Sequence, residues 1–393
     1  MNKDFRKYYI SIAGGLGNQM LSYSLWYYLT YVKKKKTKLF PITAGLQDHN
    51  KLEINILFPN TENIGEETNS IKQYQKFCSS INKCLNKIGN MLRIKYNLDI
   101  SQVLLSPLII FPRYKSYTFI SEIIDDIHSI FKFPFDNDER NRKLIKEMDI
   151  NQSVSIHVRR GDYQSKLVWR LLLGDICEEQ YYNDAIAFVK KQFSTPQFYI
   201  FSDDINWCQQ NLNIKDATYI NWNSGKNSFR DMQLMTHCKA NIIANSTFSL
   251  MATWLNIHND CIHIVPSKWT NTNPDLSYKK YIPSNWVTIN NSQPFISIII
   301  DNDVIYPTPI INSILQQSIS DFEIILPKKY SKLKKKDNRI KINTKAIGHH
   351  LLEIKKHTKW IHKDRYYLQK SIIKLLEGKS PPKISTYGKF PLY

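Results

Sequence analysis

The sequence predicts an α/β protein built around a parallel sheet. Strand-like apolar runs alternate with helix-like runs after Gln152. The strand-like runs are 154–158, 198–201, 240–244 and 261–265, and the helix-like runs are 179–193, 230–238 and 248–257. This alternation is typical of parallel strands joined by crossover helices. In such sheets, ligands bind beyond the carboxyl ends of the strands, so the loops that follow the strands are the candidate site.

The chain is long enough for more than one domain. Its 393 residues exceed an ordinary single domain. We expect an N-terminal domain over 1–150, in which a strand-like run at 8–13 leads into a glycine-rich loop and a helix that extends to Val32. A second domain is expected over 151–290. Polar turn-forming residues near 290–294 then separate it from a third region, 291–393.

The charge of the chain favours one class of partner but does not identify the partner. The 54 basic and 34 acidic residues leave a net charge of +20, which favours an anionic partner such as a nucleotide, a phospholipid, a nucleic acid or an acidic glycan. No apolar run approaches the roughly 20 residues that cross a bilayer, and no signal-peptide pattern opens the chain. We therefore expect a cytoplasmic protein. Its six separated cysteines are expected to be reduced thiols.

Two adjacent arginines follow the first strand of the alternating region. The run His157-Val158-Arg159-Arg160-Gly161-Asp162-Tyr163 carries them from a strand into a turn. Guanidinium groups bind phosphate through a fork of donors and stay charged at working pH. Because neighbours in an extended segment point in opposite directions, one arginine is expected to reach a ligand and an acid such as Asp162 to hold the other. A surface ion-pair cluster is the open alternative.

Three further loops offer anion contacts, each with a plain structural alternative. The loop Gly14-Gly15-Leu16-Gly17-Asn18-Gln19 presents backbone N–H groups at a helix start, or is a tight turn. Phe201-Ser202-Asp203-Asp204 ends a strand and indicates helix capping or hydrogen bonding to a nucleotide. Asn245-Ser246-Thr247-Phe248 opens a helix and either contacts phosphate or is an ordinary N-cap.

Taken together and in this order, the four segments resemble the α-1,2-fucosyltransferases of glycosyltransferase family 11 over about residues 8–290. Supporting pieces are His49-Asn50 with Leu52-Glu53, Trp207, Tyr181-Tyr182 with Ala185-Ile186, Asp231-Met232, Leu234-Met235 with Cys238, and Lys268-Trp269. One departure stands after Ser249, where the family commonly has two tryptophans and Gly-Ala. Here the residues are Leu250, Met251, Ala252 and Thr253.

The resemblance implies a GT-B-like fold, with two facing Rossmann-like domains and a cleft between them. It also implies inverting, metal-independent transfer of fucose from GDP-β-L-fucose to the 2-hydroxyl of a galactose, without a cofactor. By resemblance, Arg159 or Arg160 holds the pyrophosphate and Asp162 positions them. The nucleotide-sugar contacts implied are Gly15, Gly17, Asn18, Gln19, Ser202, Asp203, Asp204, Asp231, Asn245, Ser246, Thr247 and Phe248.

The acceptor side and the general base are less defined by the resemblance. His49, Asn50 and Glu53 are the expected acceptor contacts, and His157, Asp162 and Glu53 are the hypotheses for the base. The expected acceptor is a galactose-terminated oligosaccharide or lipid-linked glycan of a bacterial lipopolysaccharide or O-antigen. A transferase of another linkage or another GDP-sugar stays open. So does a basic protein that binds nucleic acid or acidic glycan without turnover, although no nucleic-acid-binding module is visible.

The basic C-terminal region has a second resemblance. The runs 295–300, 313–318 and 321–326 are similar to the opening strand–helix–strand of family 2 glycosyltransferases. That family needs an Asp-x-Asp in a later strand, but the comparable run 358–365 offers one acid, and Asp301-Asn302-Asp303 is expected to form a turn. We therefore expect a truncated and catalytically inactive unit, whose deletion spares transfer. Its 19 basic and 8 acidic residues predict either contact with an anionic membrane or a solvated face.

Overall fold

The computed structural model describes a chain of two compact units. The described residues are 7–42, 46, 50–66, 68–69, 73, 109–110, 118–212, 214–271, 282–290, 293–305, 307–315 and 321–354. The first unit combines Met1–Arg159, Glu179–Ser267 and Tyr278–Asn290. The second combines Arg160–Glu178, Lys268–Ser277 and Asn291–Tyr393. Two internal segments therefore group with the C-terminal region, while the domain boundaries drawn from the sequence at 150 and 290 stay a prediction.

The first unit opens with a parallel sheet of three described strands in the order β2-β1-β3. Its elements are β1 (Lys7–Ile12), α1 (Leu16–Tyr27), which continues as a π-helical turn at Tyr28–Val32, β2 (Lys36–Pro41), α2 (Ile54–Leu57) and β3 (Ile109–Ile110). Helix α1 is buried along most of its length, as its Leu-, Tyr- and Trp-rich sequence predicts. A 3₁₀ segment (Thr118–Ile123), α3 (Ile124–Ile130) and α4 (Glu139–Ile150) then lead to the main sheet.

The main sheet contains six parallel strands. The elements from here to residue 290 are β4 (Gln152–Val158), α5 (Gly161–Ser165), α6 (Leu167–Leu173), α7 (Glu179–Gln192), β5 (Pro196–Ser202), α8 (Ile205–Asn211), β6 (Thr218–Ile220), a 3₁₀ turn (Gly225–Asn227), α9 (Phe229–Thr236), β7 (Ala240–Ile242), α10 (Thr247–Trp254), β8 (Ile262–Pro266) and β9 (Val287–Ile289). Helices α5 and α6 belong to the second unit. The alternating strands and helices predicted after Gln152 are confirmed.

The order of these strands predicts the edge of the sheet at which a ligand would bind. It is β6-β5-β4-β7-β8-β9, with every pairing parallel. From β4, the chain adds β5 and then β6 on one side of the sheet. It then returns to β7, which lies on the other side of β4, and adds β8 and β9 beyond it. This is the doubly wound Rossmann order, and its switch point lies between β4 and β7. The predicted α/β class with parallel, Rossmann-like sheets is confirmed.

A glycine allows the two parts of the first unit to approach closely. Helix α1 packs against α10. A Cβ atom added to Gly17 would lie 2.5 Å from the backbone nitrogen of Phe248 and 2.5 Å from the carbonyl oxygen of Thr247. Backbone atoms cannot give way as a flexible side chain can, so this contact requires glycine.

The second unit is a smaller α/β structure. Its C-terminal elements are β10 (Ile296–Ile300), α11 (Pro307–Leu315), β11 (Phe322–Leu326), a 3₁₀ segment (Lys328–Lys336), β12 (Ile340–Ile342) and β13 (His350–Ile354). The four strands are parallel, in the order β12-β11-β10-β13. The expected strand–helix–strand opening is present, as is the turn at 301–303. The run 358–365 lies outside the described residues, and the family 2 resemblance stays a prediction.

A helix that crosses a bilayer needs roughly 20 mainly apolar residues. Within the described ranges, no helix is both long enough and apolar enough to span a membrane.

Candidate active site

An ion pair joins the ends of two neighbouring strands in the main sheet. Val158 and Ser202 are register partners at the carboxyl ends of β4 and β5. The next residue of each strand carries a charge, and Arg159 Nη1 lies 2.8 Å from Asp203 Oδ2. Both side chains are partly exposed. Arg159 and Asp203, which the resemblance implies at the donor, are thus brought together next to the switch point.

The second arginine has a different acid. Arg160 Nη1 lies 3.5 Å from Glu178 Oε1, and both residues belong to the second unit. Burial raises the pKa of the Glu178 carboxyl, while the charge of Arg160 opposes that shift. The positioning role of Asp162 stays a prediction, and Glu178 was not among the acids expected from the sequence. No local signal could have found it, because Glu178 follows Arg160 by 18 positions and directly precedes α7.

His157 lies in β4 with its side chain turned into the protein. It is 7% exposed, and its ring centre lies 5.7 Å from that of Phe248. Its Nδ1 atom is buried and has no hydrogen-bond partner within the described part of the chain. Burial lowers the pKa of His157 to about 4; the Asp203 charge opposes this shift and the Arg159 charge adds to it. The imidazole is therefore neutral at pH 7 and can accept a proton.

A depressed histidine pKa makes stability depend on pH. The unfolded state takes up a proton near pH 6.5, so this contribution is present above pH 6.5 and is lost as the pH falls toward 4. Between pH 7 and pH 5, we expect the free energy of unfolding of the native chain to fall by about 2 kcal/mol more than that of His157→Gln. Urea unfolding at the two pH values measures the difference. Equal losses in both proteins would show that His157 titrates normally.

The loop after β7 forms the N-terminus of α10. Ser246 is the N-cap, and its hydroxyl accepts a hydrogen bond of 3.3 Å from the backbone N–H of Phe248. Asn245 and Ser246 are buried, whereas Thr247 and Phe248 are partly exposed. The capping interpretation is therefore observed. Contact of this turn with phosphate stays a prediction.

In the glycine-rich loop, two neighbouring residues have different surroundings. Asn18 is exposed, but Gln19 is 0% exposed. Gln19 Nε2 donates to the carbonyls of Gly14 (3.0 Å) and Lys51 (2.7 Å), and its Oε1 accepts from the backbone N–H groups of Glu53 (2.9 Å) and Ile54 (3.2 Å). The resemblance implied that Gln19 contacts the sugar nucleotide. Instead, this side chain ties the glycine-rich loop to the segment before α2.

Ser202 and Asp204 both serve the start of α8. The Ser202 hydroxyl accepts from the backbone N–H of Asp204 at 2.9 Å, and Asp204 Oδ1 accepts from the N–H of Trp207 at 3.1 Å. The capping interpretation offered for this segment is therefore observed.

The expected acceptor residues are only partly described. Asn50 Nδ2 donates to Glu53 Oε1 and to the carbonyl of Gly225, both at 2.8 Å. Burial raises the pKa of Glu53 against the lowering effect of the Asn50 hydrogen bond. Asp231, which is an expected nucleotide-sugar contact and not an acceptor contact, accepts a hydrogen bond from Asn223 Nδ2 at 2.9 Å. Burial raises the pKa of Asp231 to about 7 despite that bond. His49 lies outside the described residues.

The described residues contain no group of three or more His, Cys, Asp or Glu side chains placed to hold a metal ion. Metal independence stays a prediction.

One known family matches the part of the chain that contains the main sheet. The model of glycosyl transferase family 11 matches residues 119–290, which include every strand from β4 to β9 and the arginine pair. Residues 119–290 are a glycosyltransferase family 11 domain. The chain is therefore a glycosyltransferase, as the resemblance implied.

The curated relatives differ in how much of this chain they cover. An alpha-1,2-colitosyltransferase of Escherichia coli is 28% identical over 71% of this chain and 97% of its own length. An O-antigen biosynthesis glycosyltransferase of the same species, WbnK, is 27% identical over 72% of this chain and 100% of its length. Galactoside alpha-(1,2)-fucosyltransferase 2 of Pongo pygmaeus is 27% identical over 36% of this chain and 43% of its length.

The family 11 domain and the compact units do not coincide. Within 119–290, the segments 160–178 and 268–277 belong to the second unit, together with the chain beyond 290.

Proposed function

We propose that this enzyme transfers L-fucose from GDP-β-L-fucose to the 2-hydroxyl of a terminal galactose and inverts the anomeric centre without a metal. The strand order of the main sheet is the observation that carries the proposal. It puts the switch point directly before the arginine pair, in a family 11 domain. A diphosphate is the ligand that two guanidinium groups at such a position suit best.

The chemistry needs positive charge at the leaving group. The acceptor oxygen forms a bond to the fucose anomeric carbon as the bond from that carbon to the GDP oxygen breaks. The electron pair leaves with GDP, and the sugar develops oxocarbenium character. A fixed guanidinium stabilises the charge that grows on the diphosphate. We assign this role to Arg160, because Arg159 is already paired with Asp203 at the shorter distance of 2.8 Å.

The proton of the acceptor hydroxyl needs a base. The candidates are His157, Asp162 and Glu53. His157 is neutral at working pH, but its pKa of about 4 and its buried Nδ1 atom give it no advantage over the two carboxylates. The other donor contacts follow the family resemblance, with Ser246 and Thr247 at phosphate and Asn18 facing the sugar nucleotide.

The acceptor belongs to a bacterial surface glycan in this proposal. The names of the E. coli relatives include O-antigen biosynthesis and an α-1,2 linkage, and the Pongo relative is a galactoside fucosyltransferase. A galactose-terminated, lipid-linked O-antigen unit would be modified in the cytoplasm. The lysine-rich 3₁₀ segment Lys328–Lys336 would provide peripheral contact with anionic lipid.

One observation favours a second donor. The colitosyltransferase matches most of both chains. Colitose is L-fucose without its 3-hydroxyl group, so a GDP-colitose transferase would use the same arginines. A site that hydrogen-bonds the 3-hydroxyl rejects the deoxy sugar, whereas a site lined by apolar groups does not.

A donor comparison tests the proposal. The enzyme is incubated with a β-galactoside and GDP-fucose, GDP-colitose, GDP-mannose or UDP-galactose, with and without EDTA, and nucleotide release is measured. We expect release from GDP-fucose that EDTA does not change. Preference for GDP-colitose would select the second donor, and release from UDP-galactose alone or release abolished by EDTA would overturn the proposal.

A further inference from the structure

The segment that begins at Arg160 and ends at Glu178, here called the arginine segment, belongs to the second unit. The residues before and after it belong to the first unit. Its first and last side chains form the 3.5 Å ion pair described above. The ion pair of Arg160 with Glu178 therefore lies within the second unit.

A hydrophobic anchor lies at the middle of the arginine segment. Leu171, in α6, is 0% exposed and lies in the core that β10 and β11 build, with Phe295, Ile298 and Ile324 among its members. Leu167, one turn earlier, packs against the same core. Burying a leucine contributes about 1.5–3 kcal/mol, so this contact resists detachment of the segment.

An ionic anchor lies three residues before the end of the segment. The buried carboxylate of Asp175 accepts from Arg170 Nε at 3.2 Å and from His350 Nε2, at the start of β13, at 3.1 Å. Burial alone would raise the pKa of Asp175, but His350 and Arg170 lower it to about 2. Asp175 is therefore charged at any working pH and holds His350.

The third anchor involves Asn271 and Lys268, which lie in the other family 11 segment of this unit, 268–277. Asn271 Nδ2 donates to the carbonyl of Gly174 at 3.0 Å, and its backbone N–H donates to Leu172 at 2.9 Å. The Asn271 carbonyl accepts from the backbone N–H of Asp321 at 3.2 Å. Lys268 Nζ binds the carboxylate of that same Asp321 at 2.5 Å. The two family 11 segments of the second unit, which contain Leu171 and Asn271, thus contact the C-terminal elements.

We propose that the C-terminal sheet holds the arginine segment in its observed fold and so fixes the position of Arg160, the residue assigned to the diphosphate. His350 is a positioning residue, since it acts through Asp175 and the segment that ends at Glu178. This inference rests on the proposed transfer reaction. A preorganised guanidinium stabilises the leaving group without a reorganisation cost, and a displacement of about 1 Å can cost roughly 100-fold in rate.

Three variants of the full chain test the role of His350. His350→Ala removes one of the donors to Asp175, and His350→Gln replaces it, because the glutamine amide nitrogen takes about the place of imidazole Nε2. Leu351→Ala, at the next position of β13 and 47% exposed, is the matched control. The measurements are kcat, the KM values for GDP-fucose and for acceptor, GDP affinity, and amide hydrogen exchange over 160–178.

We expect His350→Ala to lower kcat/KM for GDP-fucose roughly 10- to 100-fold, to leave the acceptor KM unchanged and to speed exchange over 160–178. His350→Gln should recover most of the loss, and Leu351→Ala should match the native chain. In an Arg160→Ala background, His350→Ala should lower kcat/KM for GDP-fucose no further, since the two substitutions act on one group.

The outcomes separate this inference from the proposed function. Unchanged donor kinetics and unchanged exchange in His350→Ala would overturn the inference, as would an equal loss in the Arg160→Ala background. A native chain that releases no nucleotide from GDP-fucose would overturn the proposed reaction. Exchange over 160–178 and GDP affinity would then still decide whether the C-terminal region holds this segment.

Discussion

Replacing Arg160 by lysine is expected to lower kcat by about 100-fold or more while the chain keeps its fold. Removal of one preorganised donor to a developing anion typically costs about 10²–10³ in kcat. Lysine keeps the charge but loses the planar fork that binds two phosphate oxygens at once. Steady-state kinetics with GDP-fucose measure the loss, and thermal unfolding confirms that the variant is folded.

Arg159→Lys is the matched comparison for this prediction. Arg159 is paired with Asp203 at the end of β5, so its substitution is expected to cost less turnover. A larger loss in Arg159→Lys would transfer the diphosphate role to that residue. Near-normal turnover in both variants would show that neither arginine binds the diphosphate.

Deleting residues 291–393 is expected to abolish transfer, which reverses the expectation drawn from the sequence alone. The deletion removes β10 to β13, exposes Leu171, and takes His350 away from Asp175 and Asp321 away from Lys268. The remaining chain should be poorly soluble or should lack nucleotide release. Soluble yield, circular dichroism and GDP release measure the outcome, and full turnover of the truncated chain would contradict it.

A single substitution in the complete chain tests the same anchor without a truncation. Leu171→Asp would place an unpaired carboxylate in the core of the second unit, a change that costs several kcal/mol. Val168→Asp, on the partly exposed side of the same helix, is its control. We expect loss of donor turnover in the first variant and near-native turnover in the second.

The main sheet could be predicted from the sequence because its signals are local. The four predicted strands, β4, β5, β7 and β8, are short apolar runs separated by helical patterns, and crossover helices force such strands to be parallel. The residues after each strand were therefore recognisable as a site. Asp203 meets Arg159 for the same reason, since β4 and β5 are neighbours in register.

The contacts that hold the site together could not be predicted, because they join distant parts of the chain. Glu178 follows Arg160 by 18 positions, and His350 follows Asp175 by 175. Gln19 has the chemistry of a ligand contact, but two loops bury it and use its whole hydrogen-bonding capacity. Nor does any local pattern show that segments within a family 11 domain fold with the region that follows it.

The product formed from GDP-fucose and a terminal β-galactoside is the most direct test of the proposed reaction. Nuclear magnetic resonance of the purified product gives both the anomeric configuration and the position of the new linkage. We predict an α-fucosyl residue on the galactose 2-hydroxyl, with one GDP released for each product molecule. A β-linked product, a linkage to another hydroxyl, or release of GDP without glycan product would contradict the account.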